Sequence, residues 1–298
     1  MIPVLLTRIK TSDGITLEGV VVLPKKKGEF ALVWIHGLTS RFSSGQTLIK
    51  ELSSSCAKNQ IAYFKFNTRG HDIVSQGTKK KLVGGAFEKF EECVRDIDAV
   101  IRLAKKLGYK KIILAGSSTG ANKALYYQYK RKNPAVRGII LASAISDMSA
   151  WKTGDAKKMS RAIRIAKQAK NKDTLLPQEY GIYSAARYLS LFEAGHAEDV
   201  FPYHNPKATW KELKSIRVAV AVVIGSQDEH RDRPAKNIMD AFRKNAVSTR
   251  QNFSKQNLGG QAKSFSGIII KGTNHGFQKH EQKLSREIIK WIHRETLR

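Results

Sequence analysis

Residues 111–120 read KIILAGSSTG, an apolar run followed by a serine between two glycines. The run has the length and the β-branched content of a buried strand, and helical spacing starts near Ser118. Strand, tight turn and helix in this order are the setting in which a G-x-S-x-G pattern presents a nucleophilic serine. Gly116 and Gly120 are expected to avoid clashes in a turn that strains the Ser118 backbone. A glycine-rich turn with a serine helix cap is the alternative, and the strand-turn-helix context favours the nucleophile.

A serine nucleophile requires a neighbouring base, because an alcohol alone is weakly nucleophilic. Of the eight histidines, His275 follows the last predicted strand, residues 267–270, and precedes the final helix. The loop that carries His275 is expected to leave the sheet at the same edge as the turn of Ser118. The sequence therefore predicts His275 as the general base, with a histidine that only caps the final helix as the alternative.

The acid that orients the base should follow the strand before the last one. Residues 218–224 form that predicted strand, and Asp228 lies in the loop after it. Asp228 would fix the tautomer of His275 and stabilise the imidazolium. Glu229 is the rival acid, and a solvated loop acid is the other alternative. The chain order Ser118, Asp228, His275 is one of the known orders for a catalytic triad.

Two backbone N–H groups must hold the negative charge that develops on a substrate carbonyl. One is predicted at Thr119, next to the nucleophile, and the other at Leu38, in the loop after the predicted strand at residues 31–35. Gly37 lets this backbone approach the substrate and is counted among the substrate-binding residues. His36 in the same loop is predicted to be structural rather than catalytic.

The rest of the chain alternates between strand-like and helix-like segments. The strand-like segments are apolar runs rather than alternating patterns, which indicates a mostly parallel sheet covered by helices on both faces. Residues 247–263 are polar and predict a long surface loop. Further strands are predicted at residues 15–23, 61–66 and 136–142, and helices at residues 44–58, 87–107, 118–132, 234–245 and 279–296.

Residues 147–214 carry no convincing sheet strand, only helical segments and loops. We interpret them as a cap inserted over the carboxyl ends of the strands, where open α/β sheets bind ligands, between the core segments 1–146 and 215–298. A basic stretch at residues 156–172 is expected to present a solvated charged face, or to recruit an anionic substrate. Five aromatic residues are candidate walls of a substrate pocket, with packing inside the cap as the alternative: Trp151, Tyr180, Tyr183, Tyr188 and Phe192.

The composition is that of a folded protein with an unusual charge. Lys and Arg number 53 and Asp and Glu 25, which gives a formal net charge of +28 over 298 residues. Such a field attracts nucleic acid, anionic membranes and acidic small molecules. The basic residues are nevertheless spread along the whole chain, so we predict no specific nucleic-acid partner.

The expected location and cofactor content rest on patterns that the sequence does not contain. The apolar runs are too short to span a membrane, and no segment has the pattern of a secretory signal. Cys56 and Cys93 are expected to be buried free thiols, and these features together favour a cytoplasmic location. No residues have the spacing of metal ligands or of a phosphate-binding loop, so neither a metal nor a cofactor is predicted.

These motifs resemble the α/β-hydrolase superfamily over essentially the whole chain. The resemblance implies the α/β-hydrolase fold, a mostly parallel eight-stranded sheet flanked by helices with an inserted, mainly helical cap. Residues 67–72 (NTRGHD) also resemble the turn after the fourth strand of capped esterases, although Asn67 stands where aspartate is commoner. The superfamily motifs are His36-Gly37, Gly116-x-Ser118-x-Gly120, Gly225-x-x-Asp228 and Asn274-His275-Gly276.

A narrower resemblance points to a family of esterases. Bacterial cinnamoyl and feruloyl esterases are similar in the first oxyanion loop and in having a cap. A little-studied hydrolase family that includes fungal siderophore esterases is similar in four stretches: Ser118-Thr119-Gly120, Ser146-Asp147, residues 188–191 and residues 197–201.

The sequence therefore predicts a serine hydrolase that cleaves carboxylic esters through an acyl-enzyme intermediate. Its partner would be a small-molecule ester, with aromatic or anionic groups as open choices. Thioesters, lactones and short peptides are alternative substrates for the same triad. A second alternative is a non-catalytic binder of nucleic acid or anionic surfaces that keeps the fold, which predicts salt-dependent binding without turnover.

Overall fold

The computed structural model describes residues 3–77, 81–246 and 262–296. Its strands are β1 (Leu5–Lys10), β2 (Thr16–Val22), β3 (Phe30–Ile35), β4 (Ala62–Phe66), β5 (Ser75–Gln76), β6 (Leu82–Val83), β7 (Lys111–Ser117), β8 (Val136–Ala142), β9 (Ala219–Gly225) and β10 (Phe265–Ile270). Eight of them form one sheet in the order β1-β2-β4-β3-β7-β8-β9-β10, and β5 pairs with β6. The pairs β1–β2 and β2–β4 are antiparallel, and the other pairs of the large sheet are parallel. The predicted eight-stranded, mostly parallel sheet is confirmed.

Helices cover both faces of this sheet. The α-helices are α1 (Gln46–Lys58), α2 (Cys93–Lys106), α3 (Thr119–Arg131), α4 (Ala150–Thr153), α5 (Ala156–Gln168), α6 (Ala185–Phe192), α7 (Lys211–Lys214), α8 (Ala235–Ala246) and α9 (Glu281–Thr296). Because strand side chains alternate between faces, Val33 of β3 joins the core that α2, α3 and α8 cover. Its neighbour Trp34 joins the core that α1 and α9 cover. All residues of β3 and β9 are buried, as expected for central strands of a parallel sheet.

β1 and α2 are two of the elements that differ from the sequence prediction. β1 was not predicted; it is an antiparallel edge strand whose Leu6 stays 73% exposed, so its pattern lacks the buried face that marks a strand. The helix predicted over residues 87–107 begins at Cys93, after a short 3₁₀ turn at Phe90–Glu92. Phe90 packs into the core from that turn, so the apolar pattern continues without helical backbone.

Residues 147–214 follow β8 and precede β9, and they supply α4 to α7 without adding a strand to the large sheet. Part of this segment has its own apolar cluster, in which α5 packs on α6 through Ala162, Ala166, Ala185 and Leu189. The segment is tied to the core near α6, because the Ser184 N–H donates to the Ala86 carbonyl at 2.9 Å. Its assignment as a cap stays a prediction.

Two further predictions concern the cysteines and the surface loop at residues 247–263. Cys56 and Cys93 are buried free thiols, as expected, and burial raises the pKa of both. The predicted surface loop at 247–263 lies, except for its last two residues, outside the described residues. Within the described ranges no helix combines the length and the apolar character needed to cross a bilayer.

Candidate active site

Ser118 occupies the turn between β7 and α3 in a strained conformation. Its backbone angles are φ 55° and ψ −132°, a region that residues with a side chain rarely adopt. A Cβ atom at Gly116 would lie 2.1 Å from the Gly120 carbonyl oxygen, and one at Gly120 would lie 2.3 Å from the Ile35 carbonyl oxygen. Both glycines of the motif are therefore required by the close approach of backbone on either side of Ser118.

A cavity of about 570 Å³ opens above Ser118, at the carboxyl ends of the parallel strands. Ser118 and His275 both line it, together with Leu38, Thr119 and Gly37 of the predicted oxyanion region. We call it the Ser118 cavity. Five residues that the sequence assigned to the chemistry are thus brought together in one space.

A buried carboxylate holds the imidazole of His275. Its Nδ1 lies 2.8 Å from Oδ2 and 3.0 Å from Oδ1 of Asp228, whose side chain is fully buried. A proton on Nδ1 that is donated to this carboxylate leaves Nε2 as the basic nitrogen. No hydrogen bond joins Ser118 to His275 in the described part of the chain; such bonds are often long in ligand-free sites and tighten around substrate.

Glu229, the rival acid, contacts the same residue at a different place. Its Oε2 accepts the backbone N–H of His275 at 2.9 Å. Burial raises the pKa of Glu229, but the backbone N–H groups of His275 and of Glu229 itself, together with His230, outweigh burial, and the pKa is lowered overall. On the other side, the Ser143 hydroxyl donates to the His275 carbonyl at 2.6 Å. The two adjacent acids therefore divide their tasks: Asp228 orients the ring, and Glu229 holds the loop.

The predicted oxyanion donors flank the nucleophile. A Cβ atom on Gly37 would lie 3.0 Å from the Ser118 Cβ and 3.5 Å from its Oγ, so glycine allows this loop to approach. The N–H groups of Leu38 and Thr119 donate to no acceptor among the residues that the structure covers. Both are open to hold a carbonyl oxygen of a ligand in the cavity.

His36 has the structural role predicted for it. The ring is buried, Nε2 accepts the Thr68 N–H at 2.9 Å, and Nδ1 lies 2.8 Å from the Gly37 carbonyl oxygen. Burial, helped by the nearby Lys123 ammonium, lowers the pKa of His36 to about 3. It stays neutral and fixes the loop of Gly37, so it does not compete with His275 as the base.

Of the five aromatic candidates, Phe192 lines the Ser118 cavity and the other four lie away from it. Trp151 lines neither this cavity nor the neighbouring one of about 220 Å³, which is lined by the three tyrosines Tyr180, Tyr183 and Tyr188. Trp151 donates its indole N–H to the Phe192 carbonyl at 2.8 Å, and the Tyr188 ring packs 4.8 Å from that of Phe192. They support Phe192, which does line the Ser118 cavity, so their contribution to its shape is indirect.

Sequence reasoning missed several residues of the cavity wall. Ile145, Asp147 and Leu191 line it, as does His230, whose ring packs edge-to-face 4.5 Å from that of His275. For Asp147 a signal existed, because it follows β8 at the carboxyl edge where ligands bind. The others come from loops and short helices whose position the sequence pattern does not define.

Four fully buried charged side chains lie beneath the site, and we call them the buried ion cluster: Glu88, Lys123, Arg187 and Glu198. Glu88 contacts Lys123 of α3 at 2.6 Å and Arg187 of α6 at 3.4 Å. Arg187 also contacts both carboxylate oxygens of Glu198, one of them at 3.1 Å. Burial raises the pKa of Glu88, but the two cations outweigh it and the pKa is lowered. The cluster connects the helix that follows the nucleophile to the 147–214 segment.

Residues 25–295 match the family model described as "Protein of unknown function (DUF1749)". No curated protein matches the chain by sequence. Across the described ranges, no group of three or more His, Cys, Asp or Glu side chains is arranged to hold a metal ion.

Solved structures resemble the chain over nearly its whole length. The siderophore hydrolase EstB from Aspergillus fumigatus has a TM-score of 0.68 at 16% identity, covering 99% of this chain and 98% of that one. Est1E from Butyrivibrio proteoclasticus, with ferulic acid bound, has 0.63 at 17%, covering 98% and 100%. The Pyrococcus furiosus esterase Pf2001 has 0.63 at 15%, covering 99% and 92%. At these identities the likeness shows the fold alone, and the predicted α/β-hydrolase fold is confirmed.

Proposed function

We propose that this chain, which belongs to the DUF1749 family, is a serine hydrolase that cleaves carboxylic esters. One observation carries the proposal. A strained, cavity-lining Ser118 shares its cavity with His275, whose ring is held by the buried carboxylate of Asp228. This is the arrangement by which a serine alcohol becomes a nucleophile at neutral pH.

The proposed reaction is a two-step acyl transfer. His275 Nε2 takes the Ser118 proton as Oγ attacks the ester carbonyl, and the N–H groups of Leu38 and Thr119 hold the oxyanion. The C–O bond to the alcohol then breaks while His275 returns the proton to the leaving oxygen. Water, deprotonated by the same nitrogen, attacks the acyl-enzyme; the bond from the acyl carbon to Oγ then breaks while His275 gives the proton to Oγ, which releases the acid and free Ser118.

Two further observations support an ester substrate and a role for the 147–214 segment. The similar solved structures are described as esterases or a siderophore hydrolase. Leu191 and Phe192 of α6 line the Ser118 cavity, so we propose that this segment is a cap that selects the substrate. Thioesters and lactones would use the same groups, and turnover of matched ester and thioester pairs separates these reactions.

The test combines turnover with labelling of the nucleophile. We expect hydrolysis of short-chain and medium-chain p-nitrophenyl esters, and covalent modification at one position by a fluorophosphonate, which mass spectrometry should locate at Ser118. Prior incubation with a good ester should slow the labelling, and heat-denatured protein serves as the control. Absence of both turnover and labelling, or labelling at another residue, would contradict the proposal.

The two acids of the Asp228 loop provide a matched pair of variants. Asp228→Asn is expected to lower kcat by about 10⁴-fold, because an amide stabilises the wrong tautomer of His275. Glu229→Gln keeps an oxygen that can accept the His275 N–H, and a neutral hydrogen bond is worth only about 1 kcal/mol, so we expect a loss below about tenfold. Steady-state kinetics of both variants on one ester decides; similar losses in both would refute the division of tasks.

A further inference from the structure

Asp147 is a carboxyl group in the wall of the Ser118 cavity with one oxygen held and the other open. Its Oδ2 accepts the side-chain N–H of Asn122 at 3.0 Å. Asn122 is buried, and its amide nitrogen also donates to the Glu198 carbonyl at 3.0 Å, so the amide is fixed. Oδ1 accepts no hydrogen bond from the described residues, and the side chain lines the Ser118 cavity. The carboxyl is therefore positioned by the protein and accessible from the cavity.

No Lys or Arg side chain among the described residues forms an ion pair with this carboxyl. The buried ion cluster holds two cations, Lys123 and Arg187, and these already contact two carboxylates, Glu88 and Glu198. Asp147 forms no salt bridge in the part of the chain that the structure describes. An ionised carboxylate without a partner is costly in a largely apolar wall.

The pKa of Asp147 is that of a carboxyl group without a paired cation. Burial raises this pKa well above the usual range, and the Glu198 and Asp199 carboxylates raise it further. Arg187 lowers it only in part, since its guanidinium is directed to the cluster carboxylates. A cation that enters the cavity would supply the countercharge that the described residues do not.

We propose that Asp147 binds an ammonium group carried by the ester substrate, and thereby determines the substrate class of the Ser118 cavity. This inference rests on the proposed function. A charge-assisted N–H···O bond is about twice as strong as a neutral one, and exclusion of water from the cavity strengthens it further. The apolar walls formed by Ile145, Leu191 and Phe192 suit the methylene chain between the ammonium and the ester.

The test uses substrates that differ only in the terminal group. In the first series the acyl part varies: methyl 6-aminohexanoate is compared with methyl heptanoate, its alkyl isostere, and with methyl 6-hydroxyhexanoate. In the second series the alcohol part varies, and the substrates are the corresponding acetates of amino, hydroxy and alkyl alcohols. We measure kcat and KM for the wild type, Asp147→Asn and Asp173→Asn. Asp173 lies exposed in the same segment outside the cavity, so its variant makes the same charge change. In Asp147→Asn the new amide can still accept from Asn122, which protects the fold.

We expect the wild type and Asp173→Asn to hydrolyse the amino ester with a kcat/KM at least about tenfold higher than that of its alkyl isostere, with the ammonium in either the acyl part or the alcohol part of the ester. Asp147→Asn should lose this preference because its KM for the amino ester rises. An equal preference for the amino ester in Asp147→Asn, no preference in the wild type, or a stronger preference for the hydroxyl ester would overturn the inference. Calorimetric binding of the same esters to Ser118→Ala, with and without Asp147→Asn, measures recognition without turnover. If the wild type does not hydrolyse the alkyl ester but the amino ester still binds and depends on Asp147, the proposed hydrolase function is rejected and the ammonium site at Asp147 is retained.

Discussion

Replacing Ser118 by alanine is expected to reduce kcat for p-nitrophenyl butyrate by at least about a thousandfold. The alanine keeps the backbone turn but removes the oxygen that attacks the carbonyl, so no acyl-enzyme can form. The Leu38 and Thr119 N–H groups remain, and they can still stabilise the oxyanion that forms when water attacks the ester directly. A slow residual reaction is therefore expected. Steady-state turnover over a range of enzyme concentrations measures the loss.

The structure makes this loss separable from unfolding. The Ser118 hydroxyl forms no hydrogen bond within the described residues, so its removal should leave the free energy of unfolding nearly unchanged. Ser160→Ala is the matched control, because Ser160 is exposed on α5 and donates only to the Ala156 carbonyl of its own helix. Activity that survives in Ser118→Ala, or an equal loss in Ser160→Ala, would refute Ser118 as the nucleophile.

The proposed triad could be predicted from the sequence because each member follows a strongly apolar strand. Such strands are recognisable without any tertiary information, and the carboxyl ends of parallel strands meet at one edge of the sheet. A residue that follows each strand is thereby located in space as well as in the chain. Ser118 follows β7, Asp228 follows β9 and His275 follows β10, which is why the structure brings them together.

The cavity wall could not be predicted in the same way. The aromatic side chains of Trp151, Tyr183 and Tyr188 favour a pocket wall, but the segment around them has short helices and irregular loops, whose packing no periodic pattern defines. Aromatic side chains are as suitable for a small core as for a pocket. The structure places all three outside the Ser118 cavity. Asp147 does line the cavity, although the sequence indicates it only as part of the Ser146-Asp147 motif.

The buried ion cluster was equally hidden from sequence reasoning. Lys123 lies on α3 and is fully buried, although lysine is almost never buried unless it is paired. Its partner Glu88 lies in the stretch that was predicted as helix and is instead a loop before Cys93. The pair is separated by more than thirty residues in the chain, so only the tertiary fold brings it together.

Replacing Arg187 by methionine is expected to lower the free energy of unfolding by about 3–5 kcal/mol, the usual cost when one member of a buried ion pair is removed. Among the described residues, the substitution leaves the buried Glu198 carboxylate with the Ser190 hydroxyl at 2.9 Å as its partner, and Glu88 with Lys123. Urea unfolding measures the loss. Lys105→Met, at an exposed position of α2, is the control, and it should change stability by less than about 0.5 kcal/mol.

The charge of Arg187, rather than its volume, should account for this loss. Adding Glu198→Gln to Arg187→Met removes the uncompensated carboxylate, so the double variant should be more stable than Arg187→Met alone, a non-additivity that a double-mutant cycle detects. Arg187 also lies one helical turn before Leu191 on α6, and Leu191 lines the Ser118 cavity. KM for medium-chain esters should therefore rise in Arg187→Met at temperatures where the protein is still folded. A double variant as unstable as the sum of its single variants would show instead that Arg187 stabilises α6 through packing.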